Sequence, residues 1–251
     1  MEQVGQPEIG RRRGPWGWEG KPVKLSIVMP VYNEATTVEE AIAETLSTSF
    51  PCEIELLVVD DGSTDATPKI LEQLARPNLT VLRHERNGGK GAAVRTGAAR
   101  ADGDLIVVMD ADLEYRAADL PRLVQPVLDG VAEVVFGTRT FGSHSAYSFW
   151  YVVGNKGITL AANVLYNCYL SDIYTCFKLM PLALFRDLQI RREGFDAEIE
   201  ATAKLLKRGI RPYEVPVDYR ARRRDEGKKI TAMDGVRAVW TILEIRLDPR
   251  P

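Results

Sequence analysis

Leu105-Ile106-Val107-Val108-Met109-Asp110-Ala111-Asp112 is the stretch from which the fold is read. Five apolar residues end abruptly in two carboxylates one residue apart. An apolar run without polar alternation reads as a strand buried on both faces, the habit of a parallel sheet. The Asp-Ala-Asp at its end suits a divalent cation bridged to a diphosphate, because hard cations take carboxylate and phosphate oxygens. Alone, the pair reads equally as a solvated strand end, so the surrounding chain has to decide.

Upstream, residues 24–30 form an expected first strand that Pro30 ends. Residues 31–34 (Val-Tyr-Asn-Glu) make a loop, and Thr36 or Thr37 caps a helix to about Ser47, with Glu39 and Glu40 in its first turn. Residues 54–60 are a second strand, followed by the turn Asp60-Asp61-Gly62-Ser63-Thr64-Asp65 and a helix over 66–75. Residues 79–83 are a third strand. The glycine-rich loop Asn87-Gly88-Gly89-Lys90-Gly91 opens a helix through Arg100. Strand-helix alternation over 24–112 predicts a doubly wound parallel sheet. Right-handed crossovers carry every strand's C-terminal end to one edge, where ligands bind. Tyr32-Asn33-Glu34, Asp60-Asp61, Gly88 to Gly91 and Asp110/Asp112 all fall on that edge.

Downstream, a helix is expected over 119–128 and a strand over 132–136, ending in Gly137-Thr138-Arg139. Residues 147–170 read as a long helix or helix pair, 179–188 as a short helical stretch opened by Pro181, and 197–208 as a helix stopped by Gly209. Residues 213–219 alternate like an edge strand, and 220–229 form a basic loop. The helix over 230–247 carries Ile230, Met233, Val236, Val239, Trp240, Leu243 and Leu247 at helical spacing, read as a core-facing stripe. Residues 1–22, with Arg11 to Arg13, Trp16 and Trp18, read as a flexible tail. Residues 23–251 are expected to be one domain in two halves, 23–115 and 116–251.

The 251 residues, 45% hydrophobic and 27% charged, are ordinary for a globular α/β chain. A net charge of −2 argues against general nucleic-acid binding. The three cysteines lack metal-ligand spacing and read as reduced thiols, and two histidines, His84 and His144, are too few for a histidine-based zinc site. The start of the chain shows no apolar signal region. The longest apolar stretch, 148–170, is interrupted by Gly154, Asn155, Lys156, Asn163 and Asn167, a poor membrane span. A cytoplasmic protein, soluble or peripheral at the membrane, is the expectation.

Asn33, Glu34 and Asp61 can meet a base and a ribose, and a cation at Asp110/Asp112 can neutralise a diphosphate. The turn after the first strand has no glycine, which excludes the dinucleotide fingerprint and weighs against a sugar-1-phosphate nucleotidyltransferase. The glycine-rich loop lacks the GxxxxGK[ST] pattern of a P-loop kinase.

Pro30 to Glu34, Val58-Val59-Asp60-Asp61-Gly62-Ser63-Thr64-Asp65, Asn87 to Gly91 and Asp110-Ala111-Asp112, in this order, resemble the inverting family 2 glycosyltransferases of GT-A fold. Gly137-Thr138-Arg139 and the later basic loop look most like the dolichyl- or polyprenyl-phosphate mannose or glucose synthase branch. The resemblance spans about residues 24–245. It implies a Rossmann-like, mostly parallel sheet flanked by helices, a nucleotide-sugar donor (GDP-mannose or UDP-glucose type), Mg²⁺ or Mn²⁺, and a lipid-phosphate acceptor. Donor contacts are then expected from Pro30, Tyr32, Asn33, Glu34, Asp60, Asp61, Gly62, Lys90, Asp110 and Ala111, and metal contacts from Asp110, Asp112 and Glu114. Arg139, Arg222 and Lys228 would grip the acceptor phosphate, bidentately where arginine allows it. Asp112 and Arg139 are the expected catalytic pair. Asp196 or Glu198 would serve as general base if the acceptor is instead a hydroxyl of a small molecule or polysaccharide. The chain departs from the branch at Glu114, where glutamine is common. It departs again at Phe149-Trp150-Tyr151, where a second arginine is often found; Asn155-Lys156 follow.

Overall fold

The computed structural model describes residues 22–140, 149–221 and 232–249. In chain order the elements are β1 (Lys24–Val31), α1 (Val38–Ser47), β2 (Glu53–Asp60), α2 (Thr67–Gln73), β3 (Leu79–Arg83), α3 (Lys90–Arg100), β4 (Leu105–Val108) and α4 (Leu120–Leu128). They continue with β5 (Val135–Thr138), α5 (Phe149–Tyr166), β6 (Lys178–Pro181), α6 (Leu182–Asp187), α7 (Asp196–Lys207), β7 (Tyr213–Pro216) and α8 (Ala232–Leu247). The sheet order is β3-β2-β1-β4-β6-β5-β7.

β3, β2, β1 and β4 run parallel, as the alternation over 24–112 requires. All four residues of β4 and nearly all of β1 are buried, which explains their continuous apolar sequence. Pro30 does not end β1; the strand continues to Val31, paired with Asp60. Val28 accepts from Met109 on the β4 side, and Pro30 points to that same side. The β4 pairing stops at Val28↔Val108, so the missing N–H of Pro30 faces a stretch with no ladder to complete. Thr37 sits at the N-cap of α1, but its hydroxyl donates to Glu34 Oε2 at 3.0 Å rather than capping the helix.

Residues 178–181 form β6, antiparallel to both β4 and β5, where a helical stretch is expected from residue 179 onward. Four fully buried residues are too short to show a period, and the slot between two strands decides their conformation. Pro181 then opens α6.

α5, α7 and α8 build a second apolar cluster from Ala162, Tyr166, Ile199, Ala203, Leu206, Ala238 and Ile242. The Tyr166 hydroxyl donates to the Ile242 carbonyl at 3.1 Å. The stripe expected to face the core from the last helix is corrected here. Val236, Trp240 and Leu247 are exposed, and Ala238, Thr241 and Ile242 face inward. Ala238 and Ile242 share the apolar cluster with Ile199, Ala203 and Leu206 of α7. Among the described residues no helix is long and apolar enough to cross a membrane.

Candidate active site

The loops after β1 and β2 are laced together at the C-terminal edge of the sheet. Asn33 adopts a left-handed backbone (φ 55°), accepts the Thr64 N–H on Oδ1 at 2.8 Å, and donates its own N–H to Ser63 Oγ at 2.9 Å. Glu34 donates its N–H to Thr67 Oγ1 at 3.0 Å. Buried Asp60 accepts the Ser63 N–H at 2.9 Å and lies 3.4 Å from Arg83 Nε. Tyr32 and Pro30 are partly buried beside this loop, and Asn33 is exposed.

Asp61 turns inward. Its Oδ1 meets His84 Nδ1 at 2.7 Å and accepts the Gly88 N–H at 2.9 Å, and its Oδ2 accepts the Gly89 N–H at 2.7 Å. The other nitrogen of His84 meets Thr96 Oγ1 at 2.9 Å. Asp61 therefore holds the glycine-rich loop. Gly62 is required by a positive φ of 71° and by Arg86, whose carbonyl carbon would lie 2.5 Å from a Cβ.

The glycine-rich loop closes on the chain ahead of α7. Gly91 donates its N–H to the Glu193 carbonyl at 2.6 Å. A Cβ at Gly89 or Gly91 would lie 2.4 Å from Glu193 O or 2.3 Å from Arg192 O. This contact brings Lys90 to Asp110, at 2.7 Å, and to Glu198 on the first turn of α7. Cys176 Sγ is 3.6 Å from the same ammonium, and the Phe195 ring lies 5.6 Å away. Burial works against the charge of Lys90, but Asp110, Cys176 and Glu198 outweigh it and hold its pKa well above the usual lysine value. Burial pushes the Cys176 thiol up and the Lys178 ammonium down. Lys178 contacts Glu198 at 3.6 Å and donates to the Thr175 carbonyl at 2.5 Å. Cys176 and Lys178 were not among the expected site residues. A lysine inside an otherwise apolar run, Phe177-Lys178-Leu179-Met180, was the available signal, and a helix expected from residue 179 cuts across that run.

After β4 the chain turns sharply. Leu113 has φ 59°, costly for a branched residue, and Asp112 Oδ1 accepts the Glu114 N–H at 3.0 Å. Glu114 Oε2 accepts the Tyr219 hydroxyl at 2.5 Å. The three ligand-type side chains that converge within 4.8 Å among the described residues are Asp110, Cys176 and Glu198. Asp112 and Glu114 stand outside that group, and the Lys90 ammonium already serves it. Asp112 and Glu114 are partly exposed carboxylates on the turn after β4, and carboxylate oxygen is the donor type a hard cation takes. One or two carboxylates suffice where substrate phosphates complete the coordination shell, so this donor set fits Mg²⁺ or Mn²⁺.

In the C-terminal half of the chain, Arg139 at the end of β5 grips Asp172 with Nε at 2.5 Å and Nη2 at 2.9 Å. Asp172 also accepts from Asn155 Nδ2 and from the Tyr174 N–H, both at 3.1 Å. Burial raises the Asp172 pKa, but the Arg139 charge and these hydrogen bonds outweigh it and leave it lowered. Lys156 donates to Thr140 Oγ1 at 3.2 Å and to the Ser171 carbonyl at 3.1 Å. Asp196 lies 3.9 Å from Arg192. Arg222, Lys228 and His144 lie outside the described residues.

A family model described as glycosyl transferase family 2 matches residues 26–189. Similar curated proteins include glycosyltransferase AglJ of Haloferax volcanii, 28% identical over 199 residues, which are 79% of this chain and 63% of that protein. Undecaprenyl-phosphate 4-deoxy-4-formamido-L-arabinose transferase of Proteus mirabilis is 37% identical over 121 residues, 46% of this chain and 36% of that protein. Dolichol-phosphate mannosyltransferase of Pyrococcus furiosus is 26% identical over 211 residues, 82% of this chain and 59% of that protein. The chain thus spans less than two thirds of the length of these relatives. Among solved structures, glucosyl-3-phosphoglycerate synthase from Mycobacterium tuberculosis, in complex with Mn²⁺, UDP and glucosyl-3-phosphoglycerate, has a TM-score of 0.66 at 22% identity. That match covers 90% of this chain and 79% of the other, and it shows a shared fold.

Proposed function

Because this chain belongs to glycosyl transferase family 2 and has the GT-A fold, we propose that it is an inverting hexosyltransferase moving sugar from a nucleotide-diphospho-sugar to a polyprenyl phosphate. Donor contacts come from the loops carrying Tyr32, Asn33, Glu34, Asp60 and Gly62. Asp112 and Glu114 hold Mg²⁺ or Mn²⁺, which supplies Lewis-acid neutralisation of the departing diphosphate. Solved structures of the M. tuberculosis synthase with Mn²⁺ or with Mg²⁺ and UDP support this assignment. Lys90 keeps Asp110 and Glu198 compensated beneath the donor.

The observation that carries the acceptor reading is the condition of Glu198. Its carboxylate is taken between the ammonium groups of Lys90 and Lys178, so it is badly placed to receive a proton from a hydroxyl. A phosphate monoester needs no base, since its second pKa is about 6; it needs cations. An acceptor phosphate has the bidentate geometry of the Asp172 carboxylate and competes with it for the Arg139 fork. Lys156, whose partners are neutral oxygens, adds a second positive charge next to Ser171 and Asp172. The names of the polyprenyl-linked relatives support the same class of acceptor. The reading includes peripheral contact with a membrane surface, where such an acceptor sits. A hydroxyl acceptor would instead use Asp196, whose ion pair with Arg192 is long at 3.9 Å.

The test is transfer of radiolabelled sugar from GDP-mannose and UDP-glucose, with Mg²⁺ or Mn²⁺, into butanol-extractable polyprenyl phosphate. Label in the lipid phase, lost in Asp112→Ala and Arg139→Ala, supports the reading and identifies the donor. Donor hydrolysis without lipid product transfers the assignment to a hydroxyl acceptor with Asp196 as base.

A further inference from the structure

Tyr219 touches both sides of the site at once. Its hydroxyl donates to Glu114 Oε2 at 2.5 Å, on the cation side. Its ring lies 4.8 Å from the Arg139 guanidinium, on the phosphate side. The ring also packs edge-on against Tyr115 at 5.0 Å, and Tyr115 in turn accepts the Cys176 N–H at 3.1 Å. The backbone repeats the connection. Tyr219 pairs with Tyr115 in an isolated antiparallel bridge, and the Arg220 N–H donates to the Glu114 carbonyl at 2.9 Å. The Asp218 N–H reaches Asp119 Oδ2 at 2.9 Å, and the Val217 N–H reaches the Thr138 carbonyl, next to Arg139, at 3.0 Å. Four consecutive residues thus zip the end of β5 onto the turn that follows the Asp-Ala-Asp. Tyr219 is buried, and its polar tip and its aromatic face are given to different functional groups.

We propose that Tyr219 is a positioning residue that couples cation binding at Glu114 to phosphate binding at Arg139. The inference rests on the roles given above to Glu114 and Arg139. A cation on the Glu114 carboxylate fixes the partner of the Tyr219 hydroxyl. The ring is then fixed over the guanidinium, whose planar fork has to be aligned to take a phosphate bidentately. The coupling works in both directions, so a phosphate on Arg139 tightens the cation by the same factor.

The test uses the full chain, Mn²⁺ followed by its paramagnetic resonance signal, and farnesyl phosphate followed by calorimetry. In the wild type, saturating Mn²⁺ is expected to tighten farnesyl phosphate by about fivefold or more. Tyr219→Phe keeps the ring and removes the hydroxyl; the ratio of the two affinities is expected to fall to about one. Tyr219→Leu is expected to weaken farnesyl phosphate by about threefold even without Mn²⁺. If Tyr219→Leu fails to fold, Tyr219→Phe decides alone. A wild-type ratio retained in Tyr219→Phe, or a wild type that binds both ligands without coupling, overturns the inference and leaves the transferase reading standing. A wild type that binds neither ligand removes that reading first.

Discussion

Lys90 holds an ammonium between two carboxylates that come from opposite halves of the chain. Replacing it by methionine leaves the partly buried Asp110 and Glu198 without their shared counter-charge, which costs about 3 kcal/mol, the low end for a buried pair. The expected result for Lys90→Met is a melting temperature lower by roughly 10 °C, read by calorimetry. Asp172 makes a second prediction, on pH. Its pKa is lowered in the folded chain, so the stability it contributes is present above the unfolded carboxylate value of about 3.9 and is lost as pH falls through the lower folded value. The melting-temperature gap between wild type and Asp172→Asn is therefore expected to be constant from pH 7 to about 5 and to close below about pH 4. At this scale the sequence told which residues reach the edge, but not which way they turn. Asp61, expected to meet a nucleotide, accepts from two glycine amides, and Arg139, expected to grip a phosphate, is paired with Asp172. Spacing places a Cα on an edge, whereas side-chain partners come from segments that converge only in three dimensions.

The glycines separate at the level of elements. Gly91 sits against the backbone carbonyls of Arg192 and Glu193, whereas Gly154 and Gly157 on α5 have open space where a Cβ would go. Gly91→Ala is expected to destabilise by about 1–3 kcal/mol, because a rigid backbone has to move. Gly154→Ala and Gly157→Ala are each expected to stabilise by about 0.5–1 kcal/mol, through helix propensity. Urea unfolding of the three variants reads both signs. The parallel core was legible because β1, β2 and β4 each carry an apolar run, Ile27 to Met29, Leu56 to Val59 and Leu105 to Val108, separated by turn residues. β6 was not, since its neighbours and not its own four residues make it a strand. The buried face of α8 was misread for a related reason: the large apolar residues marked the stripe, but its partners on α5 and α7, which the helix's own sequence does not contain, bury Ala238 and Ile242.

For the whole molecule, the Gly91 to Glu193 contact, the Lys90 bridge and the central place of β6 tie residues 23–115 to the rest of the chain. Urea unfolding followed by far-ultraviolet circular dichroism and by tryptophan fluorescence is expected to give coincident single transitions, since neither half completes the sheet alone. The position of β6 also bears on how the chain comes to be made. β4 is flanked in the finished sheet by a strand that begins 70 residues after β4 itself ends (Val108 to Lys178). While the polypeptide emerges from the ribosome, Leu105 to Val108 therefore present an unpaired, wholly apolar border for the several seconds of synthesis that separate them from their partner. That interval, rather than any weakness of the finished sheet, is when this enzyme is most exposed to aggregation and most dependent on a chaperone.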